Sequence, residues 1–149
     1  MATSLRNWEA VQRYASYPQD NIRLNVDQTE ANRAWLLLLC GAIINRPWDE
    51  IQKHFDITQK SPKKREKLLA RIVHALLLEP DEQLQKACKE YFTYFKTSES
   101  KSEHFSRMLP IDGSVLYHLA NHRGRPLILP ATVQDAIIDL PPENNDHTE

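Results

Sequence analysis

Between Asp27 and Ile44 the chain stops alternating polar and apolar positions. Its centre, Ala34-Trp35-Leu36-Leu37-Leu38-Leu39-Cys40-Gly41-Ala42-Ile43-Ile44, is apolar on every face of a helix. A helix surrounded by neighbours needs that pattern. The run is too short to cross a bilayer, which takes about 20 apolar residues. It is longer than an ordinary strand and rich in Leu and Ala, so it reads as a helix. Asp27 is placed to cap it, and Glu30 three residues on completes a capping box. The expectation is a buried core helix over about residues 27–45.

Shorter amphipathic segments flank it. Leu5, Trp8, Val11 and Ala15 line one face of a helix over about 4–16; Tyr17-Pro18-Gln19-Asp20-Asn21 ends it, and Ile22 to Val26 reads as briefly extended. After the core helix, Pro47 opens a short helix to about Phe55, with Trp48, Ile51 and Phe55 on one face and a turn expected over Asp56–Lys60. Ser61 and Pro62 read as the cap and first residue of a fourth helix reaching about Glu79. Pro80 and Asp81 open a fifth, whose apolar stripe is Leu84, Ala87, Cys88, Tyr91, Phe92 and Phe95. Beyond the polar loop 97–102, short helices are expected near Glu103–Leu109, from Asp112 or Ser114 to about His122, and over Ala131–Asp139. The Pro-rich connector Arg123–Pro130 is expected to lie extended over the bundle. From Leu140 the acidic, proline-led end reads as a disordered tail. The fold class is therefore all-α: a compact helical bundle around a central apolar helix, with one domain over 1–139 and a tail over 140–149.

Composition supports helix over sheet: of 149 residues only three are Gly, and Leu, Ala, Glu, Lys, Arg and Gln are plentiful. Cys40 and Cys88 lie far apart and form no metal or redox spacing. Nothing at Met1-Ala2-Thr3-Ser4 resembles a secretory signal, so a cytoplasmic location is expected. The formal net charge of −1 hides an asymmetry. Residues 1–75 hold 12 Lys and Arg against 8 Asp and Glu, whereas residues 76–149 hold 7 against 12. That split gives the surface an electrostatic direction, suited to nucleic acid on one side or to head-to-tail protein packing.

The fourth helix and the residue leading into it carry half of those twelve cations. Lys60, Lys63, Lys64, Arg65, Lys67 and Arg71 face a single acid, Glu66. At about 100° per residue, Leu68, Leu69, Ile72, Val73 and Leu76 define the core face. Lys63, Lys64, Lys67, Arg71 and His74 then fall on the opposite arc, roughly 100° wide. A merely solvated face usually interleaves Glu with Lys at four-residue spacing; this arc has no acid. A row of cations over nearly three turns fits a phosphate backbone, which gives sequence-independent, salt-sensitive affinity. Arg123 and Arg125 around Gly124 form a second, lesser basic spot; a helix C-cap at Gly124 is the competing reading.

Signs of catalysis are lacking. The sequence holds no GxSxG, no phosphate-binding Gly loop and no Cys pair. His118 and His122 are spaced four apart, but no third ligand accompanies them. Arg46 to His54 and Arg65 to His74 are both wider than the Arg–His gap of HEPN-type ribonucleases. The expectation is no enzyme, no cofactor and no metal. Trp35 and Trp48 read as core and interface packing rather than base-stacking platforms, and Trp8 fits either role.

Two resemblances follow from these residues. Asp49 to Ile72 looks like a helix-turn-helix, with Ile51, Phe55 and Ile57 at its apolar positions and Thr58 capping a second, basic helix. Gln52, Asp56 and Pro62 depart from that pattern. It implies a DNA-binding transcriptional regulator. Taken whole, the short helical chain, its apolar helix at Trp35–Ile44 and its basic arc at Lys60–Arg71 resemble the small subunits of CRISPR effector complexes, especially the helical C-terminal region of the type I-D large subunit. That resemblance implies a non-catalytic Cascade subunit, packed against other subunits and copies of itself. Its nucleic-acid partners would be guide RNA and target or displaced DNA.

Overall fold

The computed structural model describes residues 5–15, 30–97 and 111–130. Six helices and no strand occur among them: α1 (Leu5–Ala15), α2 (Glu30–Ile43), α3 (Trp48–Lys60), α4 (Lys64–Leu78), α5 (Asp81–Thr97) and α6 (Ile111–His122). The all-α expectation holds. The expected cap at Asp27, the extended piece at 22–26, the helices at 103–109 and 131–139 and the tail fall outside the described residues.

Two helices organise the core. α2 packs against α1, α3 and α4, and α4 packs in turn against α3, α5 and α6. Trp35 and Leu38 of α2 are fully buried, as are Leu69, Ile72 and Val73 of α4. They share one apolar cluster with Trp8, Leu84, Cys88, Phe92, Leu116, Leu119 and Leu127. The apolar stripe expected on α5 is buried residue for residue. Gly41 lets α2 and α3 meet closely, because a Cβ there would stand 2.5 Å from Ile51 Cγ2.

α2 and α6 end in the same way. Asn45 (φ 63°) and Gly124 (φ 73°) adopt left-handed backbone just past the last turn. Arg46 N–H donates to Gly41 O and Asn45 N–H to Ala42 O; Arg125 N–H donates to Ala120 O and Gly124 N–H to Asn121 O. Both are Schellman closures, which satisfy carbonyls the helix leaves open. Gly124 has no heavy atom near its missing Cβ, so backbone conformation alone favours glycine there.

The chain then crosses α5 in extended form, as expected. Gln85 donates through Nε2 to Pro126 O (3.0 Å) and accepts from Ile128 N–H (2.7 Å). Its amide thus takes the place of a neighbouring strand. Leu127, between the two contacts, is buried, and Ile128 is 71% exposed.

Two expected boundaries are corrected. α3 does not stop at Phe55; it continues through Asp56–Lys60, and Thr58 is fully buried with Oγ1 donating to Phe55 O at 2.6 Å. The turn required by a helix-turn-helix at Asp56 is therefore inside a helix. Ser61 is not the cap of α4 but of α3, its N–H donating to Thr58 O, and Pro62 follows that end rather than starting α4. Proline just past a C-cap is a common stop.

Candidate nucleic-acid interface

The cationic row begins at the last residue of α3 and runs through the turn onto α4. Lys60, Lys63, Lys64 and Arg71 are exposed and Lys67 is half-buried. Leu68, Leu69, Ile72, Val73 and Leu76 hold the other side of α4 in the core, which forces the cations outward. None of the five has an acidic partner among the described residues. Lys63 to Arg71 is eight residues, an axial rise of about 12 Å. That covers roughly three to four steps of a DNA strand at about 3.4 Å each.

Gln59 braces the row, a role the sequence reading missed. Its Nε2 donates to Lys67 O (3.2 Å), and its Oε1 accepts from Arg71 Nε (3.2 Å). Arg71 is thereby oriented with its terminal nitrogens left for another acceptor. Lys63 occupies the N-cap position of α4 without making a side-chain cap bond, and its own N–H donates to Ser61 Oγ at 3.0 Å. Cations around the positive end of a helix dipole weaken the helix, so helix stability does not account for them.

Three neighbours of the row are placed elsewhere. Arg65 pairs with Glu66 at 2.9 Å and with Asp112, tying α4 to α6. His74, expected on the outer arc, lies half-buried under α3: its ring stacks on Phe55 at 4.8 Å, meets Trp48 edge-on at 5.2 Å, and its Nδ1 lies 3.4 Å from Glu79. Arg123 and Arg125, expected as lesser phosphate contacts, point into the fold. Arg123 Nη2 donates to Ala42 O and to Asn45 Oδ1. Arg125 donates to Ala75 O, Leu76 O and Glu79 O. Each guanidinium closes a helix C-terminus, where the dipole attracts a cation.

Between α4 and α5 lies a groove of about 500 Å³, lined by Lys64, Leu68, Lys89, Glu90, Thr93 and Tyr94 among others. Lys64 Nζ stands 5.5 Å from the Tyr94 ring centroid. Tyr94 lies outside the apolar stripe expected on α5. An aromatic beside a complete i, i+3, i+4 stripe was the available signal.

The remaining reactive groups are dispersed. His118 is buried, whereas His122 lies exposed and stacks on Trp8 at 4.6 Å. Burial and then the adjacent Arg123 lower the His122 pKa; for His54 the causes are burial, Lys53 and Arg33. Among the described residues, no group of three His, Cys, Asp or Glu is arranged to hold a metal. Nor is any described helix long and apolar enough to cross a membrane. No protein-family model, curated protein or solved structure matches the chain.

Proposed function

We propose that the chain is a non-catalytic helical subunit of a nucleoprotein complex and that its Lys60–Arg71 face holds nucleic-acid phosphates. The observation that carries the reading is the row itself: Lys60, Lys63, Lys64, Lys67 and Arg71 on one surface, without acidic partners among the described residues and braced by Gln59. In its most specific form the reading is a small subunit of a CRISPR effector complex. Support for that form is the all-helical chain, the buried apolar helix α2 and the adjoining cationic face. Its partners would be the other subunits of such a complex, copies of itself, guide RNA and target DNA.

The test is charge reversal. Replacing Lys64, Lys67 and Arg71 together by Glu should weaken binding of a labelled oligonucleotide at least tenfold. The melting temperature should move little, because all three side chains lie outside the core. Unchanged affinity would refute the assignment of this face.

A further inference from the structure

We infer that the α4/α5 groove seats an unstacked nucleobase against Tyr94, so that this protein holds a single strand in preference to a duplex. The inference rests on the phosphate-binding reading of the neighbouring cations. Lys64 belongs to both features: it is part of the cationic row and also lines the groove, with its ammonium over the Tyr94 ring. A strand held on Lys60, Lys63, Lys67 and Arg71 therefore passes the mouth of the groove. Tyr91, Phe92 and Phe95 are buried in the core, but Tyr94 is only half-buried and borders the groove. Leu68 supplies an apolar wall.

It is the Tyr94 ring with the Leu68 wall that favours a base as the occupant. Charge within the groove is mixed: Lys64, Lys89 and Glu90 line it, so a phosphate entering would meet a carboxylate as well as two ammoniums. A neutral base suffers no such repulsion, and its exocyclic amino group would suit Glu90. The volume falls within the range of small-molecule pockets. Stacking on Tyr94 requires a base already out of its own stack, which single strands supply and duplexes do not. Lys64 can swing off the ring, since an exposed cation–π contact is weaker than base stacking.

The experiment uses the full chain with a mixed-sequence 20-nucleotide DNA strand, alone and annealed to its complement, read by fluorescence anisotropy. The expected result is tighter binding of the single strand. Tyr94→Ala should lower single-strand affinity about 5- to 10-fold and leave duplex affinity unchanged, while Tyr94→Phe retains both. A strand carrying 2-aminopurine should lose fluorescence on binding the unaltered protein but not Tyr94→Ala. Absence of that quench overturns the inference without reference to any variant's folding. If Lys67→Glu with Arg71→Glu weakens binding but Tyr94→Ala does not, the groove fails and the phosphate reading stands. If neither changes affinity, both fall. Equal loss on strand and duplex in Tyr94→Ala also overturns the groove.

Discussion

Arg123 Nη2 donates to the side-chain oxygen of Asn45 at 2.7 Å, joining the left-handed residue that ends α2 to the residue that ends α6. Two residues later, Arg125 places three hydrogen bonds on the carbonyls that end α4. The Arg-Gly-Arg segment thus fastens the C-termini of two central helices, with Gly124 supplying the reversal between them. Charge-assisted hydrogen bonds of this kind contribute about 1.5–3 kcal/mol net, and the several bonds of one guanidinium do not add in full. Arg123 also buries an Nε without a partner, which offsets part of its gain. Arg125→Ala should therefore cost more than Arg123→Ala, about 2 kcal/mol and a melting temperature lower by about 5 °C. Arg125→Lys should recover little, because a single nitrogen cannot span the carbonyls that Arg125 reaches with Nη1 and Nη2 separately. Thermal melts followed by circular dichroism check the order; equal stability of Arg125→Ala and the parent would refute the fastening role.

The contact of α2 with α3 has its own test. A methyl at Gly41 would meet Cγ2 of Ile51, a residue only 2% exposed. Overpacking of this kind costs about 1–3 kcal/mol. Gly41→Ala should destabilise by that amount, although alanine favours helix more than glycine does. Removing the opposing atom should relieve the clash. Gly41→Ala combined with Ile51→Ala should then be less destabilised than the sum of the single changes, a coupling readable in urea titrations. Strict additivity would mean that the helices separate instead of clashing.

Cys88 reports on the strap that crosses α5. Its thiol is fully buried, is pushed up to about 12 by that burial, and donates to Ile128 O at 3.7 Å. Thiolate is the reactive form, so Cys88 should resist iodoacetamide at pH 8 in the native protein and react on unfolding. Cys40 is half-buried and its pKa is also raised by burial. It should be alkylated first. Gln85→Ala removes both amide contacts to the strap and should expose Cys88 to labelling faster than global unfolding does. Mass spectrometry of timed labelling gives both rates; no acceleration would show that Leu127 burial alone holds the strap.

Periodicity revealed the elements whose burial follows from their own residues: the stripe on α5, the all-round apolar α2 and the core face of α4. It failed where a neighbour decides. His74 sits at an outward angle on α4, yet α3 covers that angle with Trp48 and Phe55. Asp56 and Thr58 favour turns, yet Thr58 satisfies its hydroxyl on Phe55 O and the helix continues. An Arg beside a helix end reads equally well as pointing outward to a phosphate or back to a carbonyl. Arg123 and Arg125 point back because the ends of α2 and α4 lie within reach, a tertiary fact. The cationic row was legible because charge on an exposed arc needs no partner to be placed; Gln59 and Tyr94 acquire their roles only when α3, α4 and α5 are assembled.

Acid should destabilise the fold through two histidines. His54 and His122 are both lowered from 6.5, chiefly by burial and then by neighbouring cations. The unfolded chain therefore binds protons more readily than the folded one. Their contribution is complete above about pH 6.5 and is lost as pH falls through the lowered folded values. Replacing both by Gln should flatten stability between pH 7 and 5; an unchanged slope would place the acid sensitivity elsewhere.

Salt dependence counts the cations that touch phosphate on the proposed face. Five contacts predict a slope of log affinity against log salt of about −3.5 for a single strand and about −4.5 for a duplex. Lys67→Ala with Arg71→Ala should make the single-strand slope shallower by about 1.4, two contacts' worth. Arg123→Ala with Arg125→Ala should leave it unchanged at temperatures where that variant is folded, since both guanidiniums already hold backbone carbonyls. The two double variants remove the same formal charge. A general field effect would reduce both slopes alike, whereas contact at the row changes only the first. Titrations at four salt concentrations separate the cases, and a slope near zero in the unaltered protein would remove phosphate as the ligand of this surface.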